Sequence, residues 1–269
     1  MSKTVLITGS TDGVGKATAE QLANAGHEVI IHSRSNKKGD LVEHEIRQKT
    51  GNDKVTFVTA DFTRLSEVSE MVSELRKRVP KIDVLINNAG VYRTQKNILP
   101  NGLEETFMVN HLAHFYLTLQ LLPLIKESKQ GRIINVSSMI HASAIDFDNL
   151  QGERWFDGSD AYSLSKLCNL LFTNKLASNL NRTNITVNAL HPGVINTKLL
   201  AAGWGPFGEN TGRAGERLFY LATNNELATV TGKYFVNNRQ TPPAPVANRQ
   251  EIMEKLWEIS TALISQQGF

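Results

Sequence analysis

The N-terminal segment of this chain joins a short apolar run, a glycine-rich turn and a helical pattern. Lys3 to Thr8 is apolar and β-branched, ends abruptly at Gly9, and predicts a buried strand. Residues 16–26 have helical spacing and stop at a glycine. Further apolar runs near residues 28, 54, 82, 132, 185 and 233 alternate with helical patterns. This alternation predicts an α/β fold, with a doubly wound parallel sheet as the middle layer of an αβα sandwich.

The glycine-rich turn has the composition of a phosphate-binding loop. Gly9, Gly13 and Gly15 give the spacing G-x-x-x-G-x-G, which differs from the regular G-x-G-x-x-G fingerprint. Glycines there would let the backbone approach a pyrophosphate, whose charge would meet unpaired N–H groups at the helix start. An ordinary structural turn is the alternative. The turn therefore indicates a dinucleotide site only together with other motifs.

The end of the second predicted strand bears on which dinucleotide would bind. After His27 to His32 come Ser33 and Arg34, and residues 33–38 contain no carboxylate. In a dinucleotide fold, a carboxylate here would bind a ribose 2′-hydroxyl, whereas an arginine suits a 2′-phosphate. Arg34, helped by Lys37 or Lys38, predicts NADP(H) over NAD(H). A solvated basic loop is the alternative.

Tyr162 and Lys166 lie four positions apart on a predicted helix, and therefore on one face of it. A tyrosine hydroxyl has an unperturbed pKa of about 10, so near neutral pH it exchanges protons poorly unless a cation favours the phenolate. Lys166 would supply that cation. Any exposed i,i+4 pair on a helix gives the same pattern, so the pair indicates an active site only when other motifs accompany it.

Six short motifs follow one another along the chain. They are Thr8-Gly9-x-x-x-Gly13-x-Gly15, Asn87-Asn88-Ala89-Gly90, Val109-Asn110-His111, Asn135-Val136-Ser137-Ser138, Tyr162-x-x-x-Lys166 and His191-Pro192-Gly193. With these motifs in this order, the chain resembles the classical group of the short-chain dehydrogenase/reductase superfamily, and within it the retinol dehydrogenase-like members. The resemblance implies a Rossmann-type fold and a nicotinamide-dependent oxidoreductase.

The resemblance implies a catalytic tetrad of Asn110, Ser138, Tyr162 and Lys166. Tyr162 would exchange a proton with the substrate oxygen, and Ser138 would hydrogen-bond that oxygen as negative charge gathers on it. Lys166 would lower the pKa of Tyr162 and bind the nicotinamide ribose, while Asn110 would order a water behind Lys166. Ser138 is preferred to Ser137 because the family's serine closes the preceding strand.

The resemblance also implies contacts to the cofactor at the ends of several strands. Asp61 is placed like the acid that hydrogen-bonds adenine, and Thr197 lies in the segment that would meet the nicotinamide carboxamide. The implied set is Gly9, Ser10, Thr11, Asp12, Gly13, Val14, Gly15, Ser33, Arg34, Asp61, Phe62, Asn87, Ala89, Gly90, Tyr162, Lys166, Pro192, Gly193, Val194 and Thr197.

Substrate recognition is expected in segments outside the motifs. Tyr162 follows Ser138 by 24 positions, which is more than the usual spacing in the family. This excess predicts an inserted loop at about 139–159 beside the substrate. Residues 197–220 predict a lid, with an ordinary surface helix and loop as the alternative. An apolar pocket predicts a hydrophobic aldehyde or ketone, or its alcohol, as substrate. Its predicted lining is Tyr92, Met139, Trp155, Leu200, Trp204 and Phe207.

Length and composition exclude several classes of protein. The 269 residues contain no linker or repeat, so we expect a single domain over 1–269. A formal net charge of +3, with scattered basic residues, argues against nucleic-acid binding. No stretch reaches the ~20 apolar residues of a membrane span, and the first strand begins almost at once. We therefore expect a cytoplasmic protein without a membrane span.

Three further expectations concern cysteine, metal and assembly. The single cysteine, Cys168, excludes an internal disulfide and fits a reducing compartment. The histidines lack the paired spacing of a zinc site, so we predict no metal. Apolar stripes on the helices at about Asn101–Leu122 and Ser159–Leu180 predict a homodimer. A monomer whose stripes are internal is the alternative.

The main functional hypothesis is an NADP(H)-dependent carbonyl reductase or alcohol dehydrogenase. One alternative is a binding protein that senses NADPH without significant catalysis. Another is a lyase, isomerase or epimerase on the same scaffold, which would differ in not consuming cofactor stoichiometrically.

Overall fold

The computed structural model describes residues 2–269 and has one eight-stranded sheet between two layers of helices. Its strand order is β3-β2-β1-β4-β5-β6-β7-β8, and every pair is parallel except β7 with β8. The predicted doubly wound α/β fold is confirmed. The strands are β1 Thr4–Ile7, β2 Glu28–Ser33, β3 Val55–Thr59, β4 Val84–Asn87, β5 Gly131–Val136, β6 Ile185–His191, β7 Lys233–Val236 and β8 Arg239–Gln240.

Helices connect the strands and cover both faces of the sheet. No helix within residues 2–269 has the length and apolar character needed to cross a bilayer. A π-helix, Met108–Leu112, joins α4 to α5. The α-helices are α1 Gly13–Asn24, α2 Asn36–Thr50, α3 Leu65–Arg78, α4 Glu105–Phe107, α5 Ala113–Lys126, α6 Gly158–Asn179, α7 Lys198–Trp204, α8 Thr211–Thr223 and α9 Gln250–Gln266.

The inner strands are mostly apolar because both faces of the sheet are buried there, which is the usual situation of parallel sheets. The edge strand β8 is polar and exposed. In β1, Leu6 belongs to a core shared with α3, α5, α6 and α9. Its neighbours Val5 and Ile7 point to the other face, into a core shared with α1, α2 and α8. Successive side chains of a strand therefore belong alternately to two hydrophobic cores, one on each face of the sheet.

The strand order reverses beside β1, since β1 pairs with β2 on one side and with β4 on the other. Loops that leave β1 and β4 diverge there, and ligands bind at such switch points in open α/β sheets. Directly after the strand ends, however, the two loops are in contact. Gly9 has a φ of +62°, and a Cβ on it would lie 2.8 Å from the Cα of Ala89. Only glycine allows this approach, because a side chain would meet rigid backbone.

The two long predicted helices are present, with different starting points. The helix predicted at about Asn101 begins at Glu105, where the Glu104 carboxylate accepts hydrogen bonds from the backbone of Thr106 and Phe107. It includes the π-helix and ends at Lys126. The second helix, α6, begins at Gly158, capped by Asp157. Side-chain caps, rather than apolar spacing, set both N-termini.

The C-terminal helix α9 packs against the apolar stripes of α5 and α6. Its Trp257 ring lies 4.9 Å from the ring of Phe115 and 6.1 Å from that of Phe172, centroid to centroid. The Ser260 hydroxyl, also on α9, is hydrogen-bonded to Nε2 of His111. This part of the stripes is therefore internal, a contact that the sequence pattern did not indicate.

The contact between Gly9 and Ala89 predicts a specific loss of stability. Gly9→Ala combines a positive φ with the clash at Ala89, whereas Gly26→Ala has a φ of +79° and no atom within 4 Å of the new Cβ. We expect Gly26→Ala to lower the free energy of unfolding by about 1 kcal/mol. Gly9→Ala should lower it by about 2 kcal/mol more. Chemical denaturation of both variants measures this, and equal losses would contradict the close approach.

Candidate active site

A cleft of about 790 Å³ lies at the carboxyl ends of the strands, where the strand order reverses. Each of the six sequence motifs contributes to its wall. The predicted residues that line it are Gly9, Thr11, Asp12, Gly13, Val14, Gly15, Ser33, Arg34, Asp61, Phe62, Ala89, Gly90, Ser138, Met139, Tyr162, Lys166, Pro192, Gly193, Val194, Thr197, Leu200, Trp204 and Phe207.

Two predicted cofactor contacts lie behind this wall and hold strands together. The Ser10 hydroxyl donates to the carbonyl of Ile7 and accepts from the backbone of His32. The Asn87 amide donates to Thr118 and Asn135, inside the sheet and helix layer. Other residues of the same two motifs line the cleft, but the side chains of Ser10 and Asn87 point into the protein.

The Gly9–Gly15 turn forms a cradle of backbone at the start of α1. A Cβ on Gly15 would lie 2.5 Å from the carbonyl oxygen of Gly9 and 2.6 Å from the amide nitrogen of Asn88. Gly13 has a φ of +53°, and Asp12 caps the helix. The free N–H groups of the first helical turn favour an anion at this position. The residues present therefore fit the pyrophosphate of a dinucleotide.

The opposite end of the cleft is basic. Arg34 and Lys38 are exposed at its edge, beside the start of α2. Ser35 at that helix start makes no side-chain cap, so backbone N–H groups of the first turn lack that partner. Nearby, the buried His32 ring stacks on Phe62 at 4.4 Å and accepts a hydrogen bond from the backbone of Gly9.

Tyr162 and Lys166 lie side by side on the buried face of α6. The Lys166 Nζ is 5.3 Å from the centroid of the Tyr162 ring and donates to the carbonyl of Val136. Burial raises the pKa of Tyr162 above its usual value, and a hydrogen bond with the Ser138 side chain offsets part of this. Burial also lowers the pKa of Lys166 to about 8. Contrary to the expectation from sequence, burial outweighs the lysine in setting the phenol's pKa.

Asn110 lies in the π-helix, next to the cleft wall, and both polar atoms of its side chain form hydrogen bonds. Its Oδ1 accepts from the backbone of Val91, and its Nδ2 donates to the carbonyl of Val91 and to the Ser165 hydroxyl. Ser165 donates in turn to the carbonyl of Tyr162. Hydrogen bonds thus connect the predicted tetrad members Asn110 and Tyr162 through one serine.

An aromatic group covers the Tyr162 phenol. The ring of Trp204, at the end of α7, lies 4.8 Å from that of Tyr92 and 5.7 Å from that of Tyr162. The segment 197–220, predicted as a lid, contains α7, the connecting residues 205–210 and most of α8. No residue of α7 is buried, whereas α8 packs on α1 and belongs to the core. Two predicted pocket residues, Tyr92 and Trp155, are not part of the cleft wall, and Trp155 is 56% exposed, with its carbonyl held by Asn149. The inserted loop therefore contributes Met139, but not Trp155, to the wall.

Several residues that line the cleft were missing from the sequence prediction. Most adjoin a predicted residue along the chain, so extending each motif by one or two positions would have found them. Glu105, buried and paired with Arg93, had no such signal. No group of three metal-ligating side chains occurs in the part of the chain that the structure describes. The added lining residues are His32, Ser35, Thr63, Asn88, Val91, Glu105, Val109, Val136, Ser137, Ile140, His191, Ile195, Lys198 and Leu199.

Comparison with known proteins agrees with this geometry. A family model described as short chain dehydrogenase matches residues 3–204. The chain is 38% identical to retinol dehydrogenase 13 of Homo sapiens, over 97% of this chain and 84% of that protein. It is 36% identical to retinol dehydrogenase 12 of Mus musculus, over 98% and 87%. An uncharacterised protein from Mycobacterium Paratuberculosis superposes with a TM-score of 0.81 at 28% identity, over 97% and 92%.

Proposed function

The chain belongs to the short-chain dehydrogenase family, and from this premise we propose that it is an NADP(H)-dependent carbonyl reductase or alcohol dehydrogenase. Its substrate would be a hydrophobic aldehyde or ketone, or the matching alcohol. The observation that carries the proposal is the pair Tyr162 and Lys166, buried one helical turn apart on the cleft wall with Ser138 beside the phenol. Family membership supports the oxidoreductase and its nicotinamide cofactor.

The proposed chemistry assigns each polar side chain a task. A bound nicotinamide supplies or accepts the hydride. In reduction, the Tyr162 hydroxyl donates a proton to the carbonyl oxygen, while the Ser138 hydroxyl hydrogen-bonds that oxygen as negative charge develops. The Lys166 ammonium stabilises the phenolate that Tyr162 becomes. Asn110 keeps the Tyr162 turn in place through Ser165.

The resting state of the phenol suits reduction. Because burial raises the pKa of Tyr162, the hydroxyl holds its proton at neutral pH. Donation is then driven by the alkoxide that forms on the substrate, a much stronger base than the phenolate. In the oxidation direction the same phenol would first have to lose its proton, so a charged Lys166 matters more there.

The NADP(H) preference rests on charge at the adenosine end of the cleft. Arg34 and Lys38 are there, with the start of α2 behind them. A guanidinium and backbone N–H groups are suitable partners for a 2′-phosphate. No carboxylate follows β2 until Asp40, so a 2′-hydroxyl would lack the acidic partner typical of NAD(H) sites.

The substrate class is proposed from the lining of the other end of the cleft. Met139, Leu200, Trp204 and Phe207 place apolar surface within reach of Tyr162. Met139 and Phe207 are about half exposed, although large apolar side chains are usually covered. A hydrophobic substrate would cover this surface on binding and gain the corresponding free energy.

A homodimer through α5 and α6 is not part of this proposal. In the structure, Trp257 of α9 already packs on the rings of Phe115 and Phe172 at that surface. A partner helix could pack there only if α9 moved away. The monomer with internal stripes is therefore the alternative that the packing favours.

Replacement of the proposed acid is the direct test. We expect Tyr162→Phe to lower kcat for carbonyl reduction by at least about 10²-fold, because the proton donor is lost. NADPH affinity, measured by fluorescence titration, should change less than about threefold, since most of the cofactor's binding surface remains. Tyr220→Phe, on α8 outside the cleft lining, is the control. Retained turnover in Tyr162→Phe would refute the assigned role.

The same assays separate the two alternative functions. A wild-type protein that binds NADPH but oxidises none with aliphatic, aromatic, steroid or retinoid carbonyls would support an NADPH-sensing binding protein. Product formation without net cofactor consumption would support a lyase, isomerase or epimerase.

Charge reversal tests the cofactor preference. Arg34→Asp should lower the ratio of kcat/KM for NADPH to that for NADH by at least about tenfold, because a charged hydrogen bond to the 2′-phosphate is replaced by repulsion. Lys129→Asp makes the same change in net charge at an exposed residue before β5, outside the cleft lining, and serves as the control. An unchanged ratio in Arg34→Asp would contradict the phosphate site.

The lowered pKa of Lys166 predicts the pH dependence of reduction. The ammonium is present below pH 8 and is lost as the pH rises through about 8. Since the charged form stabilises the Tyr162 phenolate, kcat/KM should be level at lower pH and fall through that region. In Lys166→Arg, the guanidinium stays charged, so kcat/KM for any remaining activity should not fall as the pH rises through this region. A wild-type profile that stays level well above pH 8 would contradict the role of the ammonium.

A further inference from the structure

His114, on the first turn of α5, lies between the glycine-loop strand and Asn110. It is 2% exposed. Its Nε2 is 2.9 Å from the hydroxyl of Thr8, and its Nδ1 is 3.2 Å from the backbone carbonyl oxygen of Asn110. The imidazole therefore bridges the end of β1 and the π-helix.

The partners of this imidazole determine its tautomer. The Thr8 hydroxyl oxygen accepts hydrogen bonds from the backbone N–H groups of Asn88 and Ala89, at 2.8 and 2.9 Å. Both of its lone pairs are then used, and its own proton has two acceptors within reach, of which Nε2 of His114 at 2.9 Å is closer than the Ile86 carbonyl oxygen at 3.4 Å. The carbonyl of Asn110 can only accept, so Nδ1 carries the ring proton. One neutral tautomer satisfies all four groups.

Charge on this imidazole is strongly disfavoured. Burial lowers the pKa of His114 to about 3, helped by Lys166, His32 and His111, while the hydrogen bond to Asn110 opposes the change. The bridge thus keeps one hydrogen-bond pattern throughout the neutral pH range. Its contribution is geometric rather than that of a proton carrier.

Each end of the bridge is bonded to residues of the cleft wall, although Thr8 and Asn110 themselves lie behind it. Through Thr8, it holds the Asn88–Ala89 backbone, which lies on the cleft wall next to the glycine turn. Through the Asn110 carbonyl, it holds an irregular turn of helix, and π-helical turns occur often at functional sites. The Asn110 amide in turn fixes Val91 and Ser165.

We infer that His114 is a positioning residue, which aligns Asn110 with Tyr162 and ties both to the cofactor loop. It acts through Asn110 rather than by contact with the reacting atoms. The inference rests on the proposed function, since the alignment of Asn110 affects turnover only if the tetrad works. A purely packing role is the alternative, because the ring also meets Phe62 edge-on at 5.3 Å.

Three substitutions at this position separate the two ring nitrogens. The amide of His114→Asn would take the place of Nδ1 and keep the bond to Asn110, whereas that of His114→Gln would reach towards Thr8 in place of Nε2. His114→Leu removes both bonds and keeps the volume. His111→Leu is the matched control, because His111 is 1% exposed in the same helix and bonds to Ser260 on α9 instead of the cleft.

Two readouts report on Asn110. The first is hydrogen exchange of the Val91 amide, which donates to Asn110 Oδ1 at 2.8 Å and is measurable without turnover. The second is kcat for NADPH-dependent carbonyl reduction. We expect His114→Leu and His114→Gln to speed Val91 exchange and lower kcat, each by about tenfold. His114→Asn and His111→Leu should stay within about threefold of wild type in both.

The outcomes decide between positioning and packing. Wild-type Val91 protection and kcat in His114→Leu, or equal losses in His111→Leu, would overturn the inference. So would equal behaviour of the Asn and Gln variants. If the wild-type protein turns over no carbonyl, the proposed function fails, and the exchange measurement alone still tests whether His114 holds Asn110.

Discussion

The contact between the glycine turn and the loop after β4 is the constraint on which the cleft depends. β1 and β4 are neighbours whose chains leave in different directions, and Gly9 lets them touch at Ala89 without a side chain between them. The Thr8 hydroxyl then joins the two backbones by accepting from Asn88 and Ala89. Because both the cofactor cradle and the path to Asn110 start from this contact, a small shift here would move both.

Local patterns predicted the fold and the residues that meet in the cleft, because these depend on short-range geometry. Tyr162 and Lys166 share a face through helical spacing, and the other motifs follow strands whose carboxyl ends meet at one edge of the sheet. Long-range packing was not predictable in this way. Nothing in the spacing of apolar residues indicated that Trp257 of α9 would pack on the apolar stripes of α5 and α6. Nor did it indicate that the Asn87 side chain would point into the protein, or that Trp155 would lie outside the cleft wall.

Electrostatics is a second property that the sequence could not supply. Spacing showed that a cation would lie near the Tyr162 phenol, but its effect depends on how much water both groups lose. In the structure, burial favours the neutral forms of Tyr162 and Lys166 alike, raising one pKa and lowering the other. At neutral pH the Tyr162 phenol therefore keeps its proton, while the Lys166 ammonium lies close to the pH at which it loses one. This difference is a property of the folded environment rather than of the motif.

The two ends of the cleft differ in how firmly they are held. Asn110, Ser165 and Lys166 are buried and joined to strands or helices by hydrogen bonds. By contrast, α7 has no buried residue and is linked to the glycine turn by an exposed ion pair between Lys198 and Asp12. Exposed ion pairs contribute little to stability. In the proposed function, the firmly held polar wall would carry the chemistry and the lightly attached α7 would contact the substrate, so motifs that indicate the reaction would leave the substrate open.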